Sequence, residues 1–173
     1  MTRRDFGMLC NSTPQTALRG IAQPYRFWGL KIFTPLALRF QDFQRLSRSF
    51  IPVLEKQGGG AIVNLLSVLS LASMAGVAGY SASKAALFSA TQAMRTELKT
   101  KNISVHGVFP GPIDTDMAKG LDMPKTSAQV TAENIVAGII ADQEDIFPDP
   151  TSLQVSEVWA KNPKALERQF VGM

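Results

Sequence analysis

Two short apolar runs, AIVNLLS at 61–67 and ISVHGVF at 103–109, constrain the fold more than any other feature of the sequence. Each is continuous rather than alternating and rich in branched residues, which marks a strand buried on both faces, as in a parallel sheet. Between them, from Tyr80 to about Thr100, lies a stretch of strong helix formers (Ala, Leu, Met, Gln, Glu) that Asn102 can end in left-handed geometry. Strand, helix and strand in this order predict a right-handed βαβ crossover.

The flanking sequence extends the alternation. Phe43, Leu46, Phe50 and Leu54 recur at intervals of three and four, predicting an amphipathic helix over 42–56 that Gln57-Gly58-Gly59-Gly60 terminates. A further helix is expected from a Thr131 cap through Ala132 to Ala141, with Ile135, Val136, Ile139 and Ile140 on one stripe. DIFPDP at 145–150 reads as a short edge strand stopped by its prolines. Residues 152–162 and 163–170 read as two terminal helices, the second opening on Pro163. The class is α/β, and in such sheets ligands sit beyond the carboxyl ends of the strands. Ser67 and Pro110 to Thr115 fall at such ends, and Tyr80 opens the intervening helix.

The chain has 173 residues and is 45% hydrophobic, which suits one globular domain with a sizeable core. Its net charge of +4 invites a nucleic-acid reading, but the basicity is local. Residues 1–41 hold six basic side chains against the single acid Asp5, whereas residues 42–173 hold twelve basic and thirteen acidic ones. We therefore expect no nucleic-acid partner. No apolar run reaches the roughly 18 residues of a membrane span, so the expectation is a cytoplasmic protein without a membrane partner. The single cysteine, Cys10, precludes an internal disulfide framework. Residues 1–41 form an atypical basic segment with little periodicity, and a presequence reading would require an amphipathic helix that this stretch does not show.

Residues 80–84 read YSASK, and on a helix the phenol of Tyr80 and the ammonium of Lys84 share a face. An opposite charge within ~4–6 Å moves a pKa by about 1–3 units, so Lys84 is expected to bring the phenol from about 10 to roughly 7–9. Three further elements accompany the pair: Ser67, thirteen residues before Tyr80 and at the end of a buried strand; the turn Pro110-Gly111-Pro112-Ile113-Asp114 after the next strand; and Thr115, four residues beyond Gly111. Together they resemble the short-chain dehydrogenase/reductase family over residues 43–173.

The resemblance implies a Rossmann-like parallel sheet with flanking helices, N-terminally incomplete, and hydride transfer between NAD or NADP and a carbonyl or alcohol substrate. Tyr80 would be the general acid/base, Lys84 would hold the nicotinamide ribose and Ser67 would hydrogen-bond the substrate oxygen. The backbone near Pro110, Gly111 and Ile113 would contact the nicotinamide carboxamide, with Thr115 donating its hydroxyl to the cofactor. Residues 115–130, with Met117, Leu121 and Met123, would form a substrate lid. The helices at 42–56 and 80–100 resemble the family's dimerisation helices, so a homo-oligomer is expected. The alternative is an inactive member that acts through protein association.

Departures from the family pattern lie towards the N-terminus. Residues 1–41 contain only Gly7, Gly20 and Gly29, too widely spaced for the glycine-rich turn that cradles pyrophosphate. The family's asparagine-glycine turn is absent, and its catalytic asparagine is replaced by Arg39 or Lys31, depending on how the register is drawn. Without a preceding strand, AIVNLLS is expected to present an unpaired apolar edge. Of the remaining polar residues, His106 reads as a hydrogen-bonded core side chain and Gly58–Gly60 as a turn, since phosphate loops follow a strand and open a helix. Asp114 and Asp116, with no third carboxyl group nearby in sequence, do not suggest a metal site.

Overall fold

The computed structural model describes residues 8–11 and 33–171. In chain order the elements begin with β1 (Met8–Asn11), α1 (Phe33–Lys56), β2 (Gly60–Leu65), α2 (Ala78–Leu98) and β3 (Ile103–Val108). There follow β4 (Ile113–Asp114), β5 (Thr126–Ser127), α3 (Ala128–Ile140), β6 (Asp145–Ile146), α4 (Pro150–Lys161) and α5 (Pro163–Val171). The main sheet is parallel, in the order β1-β2-β3-β6, and β4 pairs with β5 in a second, two-stranded one.

Both central strands are covered on their two faces, as their continuous apolar sequences require. Successive residues of a strand point to opposite faces. Ile62 and Leu66 of the AIVNLLS run, with Val105 and Phe109, pack against Phe43 and Leu54 of α1 and Leu87, Phe88, Met94 and Leu98 of α2. Val63 and Val108 face the other way, joining Ile146 and meeting Ile135 and Ile139 of α3. Phe109 anchors the first layer: it is fully buried, edge-on to Phe88 at 5.0 Å and stacked on Phe147 at 4.9 Å. Two polar residues within this core are paired: Asn64 donates to Thr91 Oγ1 at 2.9 Å, and His106 Nδ1 lies 2.7 Å from the Gln143 carbonyl.

Several expectations require correction. β1 pairs in parallel with β2, Met8 opposite Ala61 and Asn11 opposite Asn64, so the AIVNLLS run is not an unpaired edge. A four-residue strand is too short to leave a readable period. Arg3, Arg4, Arg19, Arg26 and Lys31, and the glycines Gly7, Gly20 and Gly29, lie outside the described residues. α1 starts nine residues before the expected Asp42, and its stripe is split: Phe43 and Leu54 are buried, whereas Leu46 and Phe50 are exposed. α3 is capped by Ser127, whose Oγ accepts the Val130 N–H, and Thr131 instead sits in the first turn, donating to the Ser127 carbonyl. At the other helix ends the glycine and asparagine signals are realised as left-handed residues, Gly58 at φ 85° and Asn102 at φ 54°.

Candidate active site

The strand ends create the site. Beyond β2 the chain turns at Ser67, which caps a short 3-10 turn over Val68–Ser70 by accepting the Leu69 N–H at 3.2 Å. The Val68 N–H donates to the Pro110 carbonyl at 3.1 Å, continuing the β2–β3 ladder past its last strand pair. Ser67 is thereby set beside the Pro110–Thr115 turn at the carboxyl end of β3. α2 returns over the same edge with Tyr80 in its first turn and Lys84 one turn later.

Lys84 is 5% exposed, and its ammonium donates to the Leu65 carbonyl at 2.7 Å while standing 5.7 Å from the centroid of the Tyr80 ring. A buried ammonium demands partners, and the last carbonyl of β2 is one. Ser67 is 6% exposed and hydrogen-bonds with Tyr80 through their side chains. The Ser67 oxygen accepts from the Leu69 N–H, which leaves the hydroxyl free to donate at the same time.

The phenol does not behave as the sequence suggests. Burial pushes the Tyr80 phenol above its ordinary value of 10.0, and the hydrogen bond with Ser67 only works against that rise. The expected net lowering is therefore corrected, because desolvation penalises the phenolate. The i,i+4 spacing reveals the cation, but not the desolvation of the half-buried ring.

The structure brings Ser67, Tyr80 and Lys84 together, with Pro110 to Thr115 on the neighbouring strand end. Thr115 is half-buried, its hydroxyl 3.4 Å from the Ile113 carbonyl. Ile113 and Asp114 are fixed by pairing with Thr126 and Ser127, which closes the base of the loop that carries Met117, Leu121 and Met123. Those three side chains are exposed. One polar residue here escaped the sequence reading. Asp149, 1% exposed, accepts the Gly111 N–H at 2.8 Å. Its signal lay in Asp149-Pro150-Thr151-Ser152, a helix cap with proline at the first helical position.

A hydroxyl, a phenol and a buried ammonium converge at the carboxyl edge of a parallel α/β sheet, defining a site suited to the oxygen chemistry of a carbonyl or alcohol. Comparison with known proteins gives the family. Residues 37–125 match the family of short chain dehydrogenases, and the chain belongs to it. An uncharacterised oxidoreductase of Staphylococcus epidermidis is 32% identical over 108 residues, which cover 62% of this chain and 45% of that protein. A 3-oxoacyl-acyl-carrier-protein reductase of Vibrio harveyi is 33% identical over 102 residues, covering 59% of this chain and 41% of the relative. The matches thus span less than half the length of these curated relatives. Among solved structures, a short chain dehydrogenase from Burkholderia cenocepacia in complex with NADP superposes with a TM-score of 0.83 at 24% identity. That superposition covers 97% of this chain and 72% of the other. A bulky-bulky ketone specific alcohol dehydrogenase from Comamonas testosteroni gives 0.57 at 28% identity, covering 73% of this chain and 47% of the other.

Proposed function

We propose that this chain carries the carbonyl-handling half of an NAD(P)-dependent oxidoreductase site, with Tyr80 as general acid/base, Ser67 as the substrate-oxygen partner and Lys84 as the holder of the nicotinamide ribose. The observation that carries the reading is the convergence of the three side chains at the end of β2, with Lys84 and Ser67 almost wholly buried.

The donor set fits the nicotinamide end of the cofactor. Lys84 and Thr115 suit ribose and amide groups, and the main chain at Pro110, Gly111 and Ile113 suits a carboxamide. Among the described residues, Gly58–Gly60 does not supply a pyrophosphate-cradling turn, since it ends α1 and precedes β2. A bound nicotinamide supplies or accepts the hydride. The chain's own work is proton control at the substrate oxygen. A phenol held above its ordinary pKa is protonated at neutral pH and serves as the acid in the reductive direction. The Ser67 hydroxyl donates to the same oxygen as charge develops. The Lys84 ammonium favours the phenolate once the proton has left.

Titration with NADH and with NADPH, following nicotinamide fluorescence and thermal unfolding together, tests this reading. Saturable binding that raises the melting temperature is expected, with weaker binding by Lys84→Met. Absence of binding at about millimolar cofactor refutes it, because that corresponds to only about 4 kcal/mol.

A specific observation also favours self-association. Leu46, Phe50 and Val53 are exposed on α1 beside an open groove of about 420 Å³ shared with α2, whose rim includes Ala86, Ala90 and Ala93. Small side chains on α2 and an apolar stripe on α1 suit a second copy of the chain. Phe50→Glu is expected to shift the sedimentation profile towards monomer.

A further inference from the structure

The geometry points to Asp149 as a positioning residue: we propose that its carboxyl group sets the Pro110–Thr115 turn for the nicotinamide through the Gly111 N–H while capping α4. The proposal rests on the oxidoreductase reading above and adds to that site a residue lying 65 positions or more beyond the Ser67-Tyr80-Lys84 group.

The two carboxyl oxygens serve different elements. Oδ1 accepts the Ser152 N–H at 2.9 Å, closing the first turn of α4. Oδ2 accepts the Gly111 N–H at 2.8 Å, across from the carboxyl end of β3. Asp149 is itself held from both sides: its N–H donates to Ser152 Oγ at 3.0 Å, and the preceding Pro148 carbonyl accepts from Asn134 Nδ2 of α3 at 2.8 Å. The clamp is therefore seated on α3, α4 and the turn after β3 at once.

Gly111 supplies the complementary observation. A Cβ there would lie 2.7 Å from Asp149 Oδ1, closer than real Cβ atoms approach, and 3.0 Å from Thr151 Cβ, tighter than nearly all such contacts. The turn rests directly on the mouth of α4, and glycine is needed for backbone to reach carboxyl. An ordinary helix cap needs only one oxygen. The second oxygen, spent on a turn 38 residues away, distinguishes Asp149 from a residue that serves α4 alone.

Two variants separate capping from clamping. Asp149→Ser keeps an oxygen for the Ser152 N–H but cannot also reach Gly111, whereas Asp149→Asn keeps the cap and sets an amide N–H against one of the two donors. The full-length chain, isotope-labelled, is measured for the Gly111 amide resonance and its hydrogen exchange, for melting temperature, and for NADH and NADPH affinity. The proposal expects variants that melt near the parent, a Gly111 amide that loses its downfield shift and protection, and nicotinamide affinity lower by about tenfold or more. An unchanged Gly111 amide overturns it, as does a changed amide with affinity within about twofold of the parent. Failure of both variants to fold also overturns it, showing a purely structural residue. A parent chain that binds neither nucleotide refutes the oxidoreductase reading itself, an outcome distinct from a binding parent whose variants bind equally well.

Discussion

Replacing Tyr80 with phenylalanine removes one oxygen from the site and leaves the ring in place. The lost interaction is the hydrogen bond with Ser67, worth about 0.5–1.5 kcal/mol net, and it is offset in part because the variant no longer buries a hydroxyl. At this chain length 1 kcal/mol corresponds to roughly 2–4 °C, so the melting temperature of Tyr80→Phe should fall by less than about 6 °C at neutral pH. Turnover of a carbonyl substrate should fall by about 10²–10⁴-fold, the usual contribution of a general acid. The pH dependence of stability gives a second readout. Burial holds the folded phenol above the 10.0 of an ordinary tyrosine, so the folded state keeps this proton after the unfolded chain has released it. The stabilisation is complete below pH 10.0 and is lost as pH rises towards the folded value, since the unfolded state then binds fewer protons. Melting curves for the parent and Tyr80→Phe between about pH 8 and 11 should therefore converge at the alkaline end as the parent loses an advantage the variant never had. Parallel curves would refute the buried-phenol argument, and turnover retained within about tenfold would refute the acid role.

Two further substitutions probe the frame of the site. Gly59→Ala should destabilise by about 1–3 kcal/mol from backbone strain alone, because Gly59 sits at φ 130° and its Cβ would run into the Asn102 carbonyl; a denaturation midpoint equal to the parent's would contradict this. Ser81 lies beside Tyr80, is 3% exposed, and its hydroxyl has no hydrogen-bond partner among the described residues. An unsatisfied buried hydroxyl costs about 1–3 kcal/mol, so Ser81→Ala should raise the melting temperature without moving the Tyr80 ring, and a lower melting temperature would show that the hydroxyl is bonded.

The legible parts of the fold were those where one physical demand dominated several consecutive residues. β2 and β3 had to be mostly apolar because α1 and α2 cover one face and α3 the other. Asn102 and Gly58 marked helix ends because few residues tolerate positive φ. Tyr80 and Lys84 could be paired from their i,i+4 spacing and Ser67 added through the family resemblance, and the three side chains lie close together in the fold. What stayed hidden depended on tertiary context. β1 is four residues whose role is set by pairing with β2. Leu46 and Phe50 carry the periodicity of a buried stripe, yet α2 covers only part of α1. Asp149 was concealed within DIFPDP because a prolyl strand end and a helix cap use the same residues. The direction of the Tyr80 shift was missed for a related reason: sequence shows a charge four residues away, but burial is a sum over the whole fold.

The site thus divides according to what holds it. Ser67 is held by its own 3-10 turn, Lys84 donates to the last carbonyl of β2, and Gly111 donates to Asp149, so β2, β3, α2 and the mouth of α4 all contribute to placing these residues. On the proposed reading these residues hold the nicotinamide end of the cofactor. A nicotinamide fragment lacking the adenosine and pyrophosphate should lose less affinity relative to NADPH here than in a relative with the full glycine-rich turn. A competition titration with nicotinamide mononucleotide measures that ratio, and an equally large penalty would show that phosphate recognition survives elsewhere in the chain.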